Sequence, residues 1–362
     1  MAWSDAATEN FREQFEANGA FPWFSARGGD DPSAWKEKFL HTGMRVPGPR
    51  LRRRTLLSGG ISLATALLTA QACLPAFGPG STALAQATGG ARVLRIGAIP
   101  DQKPEKLNRL YGDVARELGR QLGVQVRYVP VVDYTAAVSA FRTGDLDLVW
   151  FGGLTGVQAR LQQPGARALA QRDIDAAFRS VFIASSRSGI KPIASQKGLT
   201  ALKGRRFTFG SESSTSGRLM PQYFLGQAGV KLSDFAGGAP GFSGSHDATI
   251  ALVQSGAYEA GAVNQQVWTA NLIEGKVNRS RVIAIWTTPP YPDYQWVARG
   301  DLDRRFGPGF TNKAQEAILA WRPGNPLQKP ILELFGATRF VRVNPAAYSR
   351  IEQVGRQIGK IR

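Results

Sequence analysis

Cysteine and histidine are almost missing from this chain of 362 residues. One cysteine, Cys73, and two histidines, His41 and His246, are the full complement. No intrachain disulfide framework can form, and a cysteine cluster or histidine-rich metal site has no ligands to draw on. Long hydrophobic runs are also lacking. The most apolar stretch, residues 61–70, is too short for a membrane span, which needs about 20 residues. Acidic residues are scarce relative to basic ones, 27 against 45, for a formal net charge of +18. The first ninety residues carry nine Lys/Arg and seven Asp/Glu, so about +16 belongs to the rest. Such a charge invites a nucleic-acid reading. The basic residues are scattered, however, and the one dense run is Arg52-Arg53-Arg54. Aromatic-rich basic clusters, which nucleic-acid binding uses, are not found. No nucleic-acid partner is expected. A field that gathers small anions, or attraction to an anionic membrane surface, fits the charge as well.

What is present begins with an address. Arg52-Arg53-Arg54-Thr55-Leu56-Leu57 leads into the apolar stretch, and Ala83-Leu84-Ala85 follows. A basic region, an apolar region and an A-x-A site form a secretory signal. Adjacent arginines before two leucines resemble a twin-arginine export signal, so a periplasmic protein is expected. Ala70-Gln71-Ala72-Cys73 is a loose lipoprotein cleavage site that would make Cys73 a lipid anchor. Residues 1–43 carry Trp3, Phe11, Phe21, Trp23 and Trp35 ahead of that signal. The reading offered is that translation starts at Met44, with residues 44–90 as export signal and linker. The alternative is a genuine long leader with no fold of its own.

From Val93 onward, strands and helices alternate. Val93 to Ile99 reads as a strand, and Leu107, Leu110, Tyr111, Val114, Leu118 and Leu122 recur at helical spacing until Gly123. Val124 to Val132 reads as a strand. Asp133 caps a helix over Tyr134 to Arg142, closed by Gly144, and Leu146 to Phe151 is a buried strand ending in Gly152-Gly153. This β-α-β-α-β order implies a parallel sheet. A second unit follows, with a strand at Phe207, a helix over Asp247 to Gln254 stopped by Gly256, and a strand at Ala260 to Val263. Val181 to Ala184 and Ile283 to Trp286 flank it and read as two crossovers. Residues 309–322 and 345–358 read as helices that return to the first lobe. The expected division is 91–182 for lobe 1, 183–286 for lobe 2 and 287–362 for the return to lobe 1.

The most chemically pointed segment is Ser213-Ser214-Thr215-Ser216-Gly217, between an apolar strand and a helix start. Free N–H groups of a first helical turn point at a ligand there, the dipole favours negative charge, and hydroxyls add donors without bulk. A single Ser or Thr would be an ordinary N-cap. Four before a glycine point to an anion site. Ligands of open parallel sheets bind at the carboxyl ends of the strands. The loops there are Asp101-Gln102, Asp133-Tyr134, Gly152 to Thr155, Ser213 to Gly217, Ser245-His246-Asp247 and Asn264-Gln265. They come from both halves, so a cleft between lobes is where they would meet. Trp150 and Trp268 read as core.

Several stretches together resemble the substrate-binding proteins of ABC importers for phosphonate and phosphite, in particular a branch described as selenate-binding. They are Ile99 to Leu107, Asp133 to Val138, Trp150-Phe151-Gly152-Gly153, Gly210 to Gly217 and Gly244-Ser245-His246-Asp247-Ala248. The resemblance spans about Val93 to Ile361. It implies a type II periplasmic binding protein, α/β, with two lobes joined by a two-strand hinge. It also implies an inner-membrane ABC permease as partner, a monomer, and no cofactor. It places the oxyanion on Ser214, Thr215 and Ser216, with Tyr134, His246 and Asp293 as further contacts. Beside an anion, the Asp293 carboxylate makes sense only if the ligand carries a proton. A charged His246 would add attraction, weakening above an ordinary value near 6.5.

Two departures bear on specificity. Gly156 stands where many relatives have an aromatic residue. Asn264 stands in the stretch where aminophosphonate binders use a carboxylate to pair an ammonium. Both favour a small oxyanion without an amine: phosphite, selenate, phosphate or a short phosphonate. On this reading Asn264→Asp would move preference toward an amine. A secreted hydrolase using Ser216, His246 and Asp293 is the competing reading. It lacks the Gly-x-Ser-x-Gly elbow of such enzymes.

Overall fold

Residues 92–362 are described by the computed structural model, and the export signal, Cys73 and His41 lie outside them. The chain enters through strand β1 (Val93–Ala98) and helix α1 (Pro104–Leu122). Pro104 at the first turn and Gly123 at φ 71° bound α1 as the sequence suggests. Strand β2 is shorter than expected, Gln125–Tyr128. The β-branched run beyond it contains Pro130, which has no N–H to give a ladder. Asp133 then caps α2 (Tyr134–Thr143), accepting from Ala136 N–H at 2.7 Å, and Gly144 ends it at φ 88°. Strand β3 (Leu148–Phe151) is fully buried.

At Gly152 to Thr155 the structure corrects the expected loop. Helix α3 (Gly153–Gln162) begins there directly. Its first turn is poor in helix formers, and close approach across the cleft fixes it. A side chain on Gly152 would stand 3.2 Å from Thr215 Oγ1 and 3.3 Å from Asp293 Oδ1.

Strand β4 (Arg167–Arg172) closes the first passage. The chain then builds β5 (Ser180–Ser185), β6 (Phe207–Phe209), a π-type turn (Thr215–Leu219) and helix α4 (Met220–Gln227). The two-residue β7 (Gly241–Phe242), α5 (His246–Ser255), β8 (Ala260–Asn264), α6 (Gln265–Ile273) and β9 (Val282–Thr287) complete the second passage. The return supplies β10 (Gln295–Ala298), α7 (Leu302–Phe306), α8 (Phe310–Leu319), α9 (Lys329–Phe335), β11 (Phe340–Arg342) and α10 (Ser349–Gln357).

Two sheets result, with orders β11-β4-β10-β3-β1-β2 and β7-β6-β8-β5-β9. Each has a run of parallel strands at one end, β2-β1-β3 in one and β7-β6-β8 in the other. Antiparallel strands complete them, β10 and β11 in the first, β5 and β9 in the second. The two strands read as crossovers, around Val181 and Ile283, pair with each other inside the second sheet. The chain passes between sheets just beyond them, and an antiparallel bridge between Phe178 and Tyr291 ties the two passing segments together. Trp150 is buried in the larger core and Trp268 in a smaller one with Val181, Ile183, Ile250 and Val253.

Candidate oxyanion site between the lobes

Four strand ends and one crossing segment converge at the cleft. Tyr134 is the first residue of α2, held by the Asp133 cap. Ser214 is the N-cap of the π-type turn, its Oγ accepting from Gly217 N–H at 2.9 Å. Thr215 Oγ1 accepts from Leu154 N–H of the other lobe at 2.9 Å. Ser180 Oγ donates to the Ser216 carbonyl at 2.7 Å and lies 2.5 Å from Tyr291 OH. Ser180 has one proton, so the Tyr291 hydroxyl is the donor of that second bond. Asp293 follows on the crossing segment, its Oδ1 accepting from Gly153 N–H at 2.8 Å.

These side chains are buried, yet Tyr134 OH, Ser216 Oγ and Asp293 Oδ2 have no hydrogen-bond partner. The hydroxyls of Thr215 and Ser216 lie near the Asp293 carboxyl and that of Ser214 lies near Tyr134, without giving those three atoms a good hydrogen bond. Buried polar atoms are normally paired, and each orphan costs about 1–3 kcal/mol. A cluster of three donors or acceptors left open between two lobes is the arrangement a small polar ligand completes. Burial pushes Asp293 up to about 7, against the lowering influence of Gly153 N–H. This carboxyl therefore holds its proton to far higher pH than an ordinary aspartate does.

His246 is held differently. Its Nδ1 accepts from Asn264 N–H at 3.3 Å, which leaves the ring proton on Nε2, 3.5 Å from Tyr294 OH. That hydroxyl donates to Asp101 Oδ2 at 2.9 Å and accepts from Asn264 Nδ2 at 2.8 Å. Both imidazole nitrogens thus face protein groups, while Cε1 would stand 3.0 Å from a side chain added at Gly217. The ring packs beneath the hydroxyl turn. Burial lowers the imidazole to about 4, with Asp247 opposing, so it is neutral across the physiological range. The attraction expected of a charged His246 is not available. Burial raises Asp101 to about 6, with the Tyr294 hydroxyl and Arg172 opposing.

Ser216, His246 and Asp293 form no nucleophile–base–orienter chain, since Ser216 Oγ is unpartnered and the His246 nitrogens are directed elsewhere. Asn264 is fully used: its Oδ1 accepts from Val267 N–H at 2.5 Å and its Nδ2 holds Tyr294. An Asp there would set a second carboxylate on a hydroxyl already donating to Asp101. This corrects the expectation that such an exchange simply adds an ammonium site. The space beside Gly156 is taken by Gln295, whose Nε2 would lie 2.6 Å from an added Cβ.

Tyr294, Ser180 and Tyr291 escaped sequence reasoning. Each reaches the site through a strand or crossing whose pairing is antiparallel and long-range. The one available signal was the tyrosine spacing around Asp293.

Comparison with known proteins bears on this arrangement. A family described as ABC transporter, phosphonate, periplasmic substrate-binding protein matches residues 96–348. A probable ABC transporter phosphite binding protein, PhnD1 of Prochlorococcus marinus (strain MIT 9301), is 53% identical over 271 residues, covering 75% of this chain and 91% of that protein. A phosphate-import protein, PhnD of Mycolicibacterium smegmatis, is 26% identical over 229 residues, 60% of this chain and 69% of that one. The structure of P. marinus PhnD1 in complex with methylphosphonate superposes with a TM-score of 0.73, covering 74% of this chain and 99% of that chain.

Proposed function

Because the chain belongs to the phosphonate-type periplasmic substrate-binding proteins of ABC transporters, we propose that it captures one small, proton-bearing tetrahedral oxyanion between its lobes and delivers it to the permease. The fold is that of the type II periplasmic binding proteins. The observation that carries the ligand reading is the buried set Tyr134 OH, Ser216 Oγ and Asp293 Oδ2, each without a partner. Two hydroxyls offer protons to oxyanion oxygens, as do those of Ser214 and Thr215. The ionised carboxyl accepts a hydrogen bond from the ligand's own O–H. Phosphite, phosphate and methylphosphonate can carry such a proton near neutral pH. Selenate and sulfate cannot, so they rank below in this reading.

His246 supports the turn from beneath rather than holding the anion directly. The chain works by stoichiometric capture as a monomer, with no cofactor and no turnover. The arginine-led segment before residue 90 serves as its export signal, and Cys73 is the candidate point of lipid attachment.

Lobe closure belongs to the same reading. An anion touched by one lobe alone has no preference for the closed state. Here Tyr134 and Asp293 come with the first sheet and the hydroxyl turn with the second. Other bonds already join the two sides: His246 N–H donates to the Asp101 carbonyl at 3.0 Å and Lys103 N–H to Asp247 Oδ2 at 2.9 Å. The test is a thermal-shift panel of phosphite, phosphate, methylphosphonate, 2-aminoethylphosphonate, selenate and sulfate. An anion at about 100 times its Kd adds about 2.7 kcal/mol of stability. A response to phosphite or methylphosphonate above the others supports the reading, and a response to none of the oxyanions removes it.

A further inference from the structure

Helix α1 starts without the devices that usually close a helix start. Its N-cap residue, Lys103, gives no side-chain cap. Three residues on, where a Glu or Gln would reach back to the N-cap N–H, stands Lys106, which has no acceptor. The acceptor comes from the other lobe instead.

Asp247, in the first turn of α5, takes the Lys103 N–H on its Oδ2 at 2.9 Å. Its Oδ1 accepts from Asn271 Nδ2 at 3.0 Å, and the same amide donates to the Val267 carbonyl at 2.9 Å. Groups of its own lobe thus hold the carboxylate in that direction. The exchange is mutual. His246 opens α5, its N–H is one of the free donors of a first turn, and the Asp101 carbonyl of the first lobe accepts it at 3.0 Å. Lys106 Nζ lies 3.9 Å from Glu274 Oε1, just beyond α6, in an ion pair exposed enough to add little. Lys103 is exposed and Asp247 half-buried, so their bond lies at the edge of the cleft. Tyr134 OH, Ser216 Oγ and Asp293 Oδ2 take no part in it.

We propose that Asp247 is a positioning residue for capture: it latches the edge of the cleft through Lys103 and so sets the affinity for every anion by a common factor, without touching any of them. A bond made only when the lobes are together raises the closed fraction, and apparent affinity scales with the fraction of protein that is competent to bind. Residues that contact the ligand act otherwise, because they favour one anion over another. When the lobes part, the Lys103 N–H and the Asp247 carboxylate both return to water, so the net gain is that of one ordinary hydrogen bond. The binding effect rests on the oxyanion reading, whereas the latch itself can be read without any anion.

The test uses the full protein with Asp247→Ala, Lys103→Pro, Lys103→Ala and the double variant Asp247→Ala/Lys103→Pro, titrated with phosphite and methylphosphonate. Lys103 has φ −60° and ψ 138°, which a proline ahead of Pro104 adopts without strain. Lys103→Pro therefore removes the N–H together with the side chain, and Lys103→Ala removes the side chain alone. Asp247→Ala and Lys103→Pro are each expected to raise the Kd of both anions by the same factor, about two- to tenfold. The double variant is expected to be no weaker than the weaker single one, as two ends of one bond require. Small-angle scattering of the anion-free protein should give a larger radius of gyration in these variants than in the wild type. Unchanged phosphite binding in both single variants overturns the proposal. So do losses that multiply in the double variant, a shifted ratio between the two anions, or a Lys103→Ala variant as weak as Lys103→Pro. Should Asp247→Ala not fold, Lys103→Pro, which leaves α5 untouched, decides with its alanine control. If the wild-type protein binds no oxyanion, the functional reading itself fails, and scattering still decides the latch, since equal radii in wild type and variants would overturn it.

Discussion

The backbone N–H of Leu154, in the first turn of α3, donates to the Oγ1 of Thr215 on the opposite lobe at 2.9 Å. The same hydroxyl still has a proton of its own to give, so under the proposed function one side chain would serve both closure and capture. Thr215→Val keeps the shape and removes both roles. A lost hydrogen bond to a charged ligand costs about 1.5–3 kcal/mol, so phosphite affinity falls at least tenfold by calorimetry. Ligand-induced compaction in small-angle scattering falls with it. Unchanged affinity in this variant would move the site away from the hydroxyl turn.

Ser214 and Ser216 separate stability from binding. Ser214 Oγ caps the turn and Ser216 Oγ has no partner. Ser216→Ala should weaken the anion and leave the free protein as stable or slightly more so. Ser214→Ala should weaken the anion and also cost about 1 kcal/mol of stability. Urea unfolding beside calorimetry distinguishes them, and equal stability losses in the two would contradict the assignment.

Asp293 makes a pH prediction with a definite sign. Its folded value of about 7 lies above its ordinary 3.8. Between those values the folded protein holds a proton that the unfolded chain has released. The stability this contributes is full below about pH 4 and is lost as pH rises through about 7. Asp293→Asn therefore gains on the wild type across that window, by at most about 4 kcal/mol. Anion affinity of the wild type should fall above about pH 7, where ligand and carboxyl have both lost their protons, and the Asn variant should be flatter. An identical pH profile in both proteins would remove Asp293 from the site.

Tyr294 and His246 belong to a network joining the lobes, and Tyr294→Phe leaves Asp101 Oδ2, Asn264 Nδ2 and the His246 ring facing an empty ring edge. A buried group stripped of its partner costs about 1–3 kcal/mol, so this variant should lose stability by that order. The neutral His246 should show no titration between pH 8 and pH 5 by NMR. A midpoint near 6.5 would mean the imidazole is not buried as described.

Much of this was legible in the sequence because local chemistry decides it. Asp133 and Gly144 bound α2, and Gly256 at φ 85° ends α5, by rules that act within a few residues. The Ser/Thr turn stood out through residue type, whereas Tyr134 and Asp293 came in only through the family resemblance. What could not be read was decided at long range. Helix α3 takes its start from contacts with Thr215 and Asp293 rather than from helix propensity, and β4 and β11 find antiparallel partners far along the chain. His246 looked like a ligand from its Ser-His-Asp setting, but no local pattern signalled that Tyr294 and Asn264 would occupy its nitrogens.

Calorimetric titration of the purified protein with phosphite, methylphosphonate, selenate and sulfate at pH 7 tests the central claim most directly. The account predicts one site per chain for phosphite or methylphosphonate, with selenate and sulfate at least tenfold weaker in the wild type and closer to phosphite in Asp293→Asn. Equal binding of all four anions, or tighter binding of selenate than of phosphite, would contradict a site built around a ligand that carries a proton.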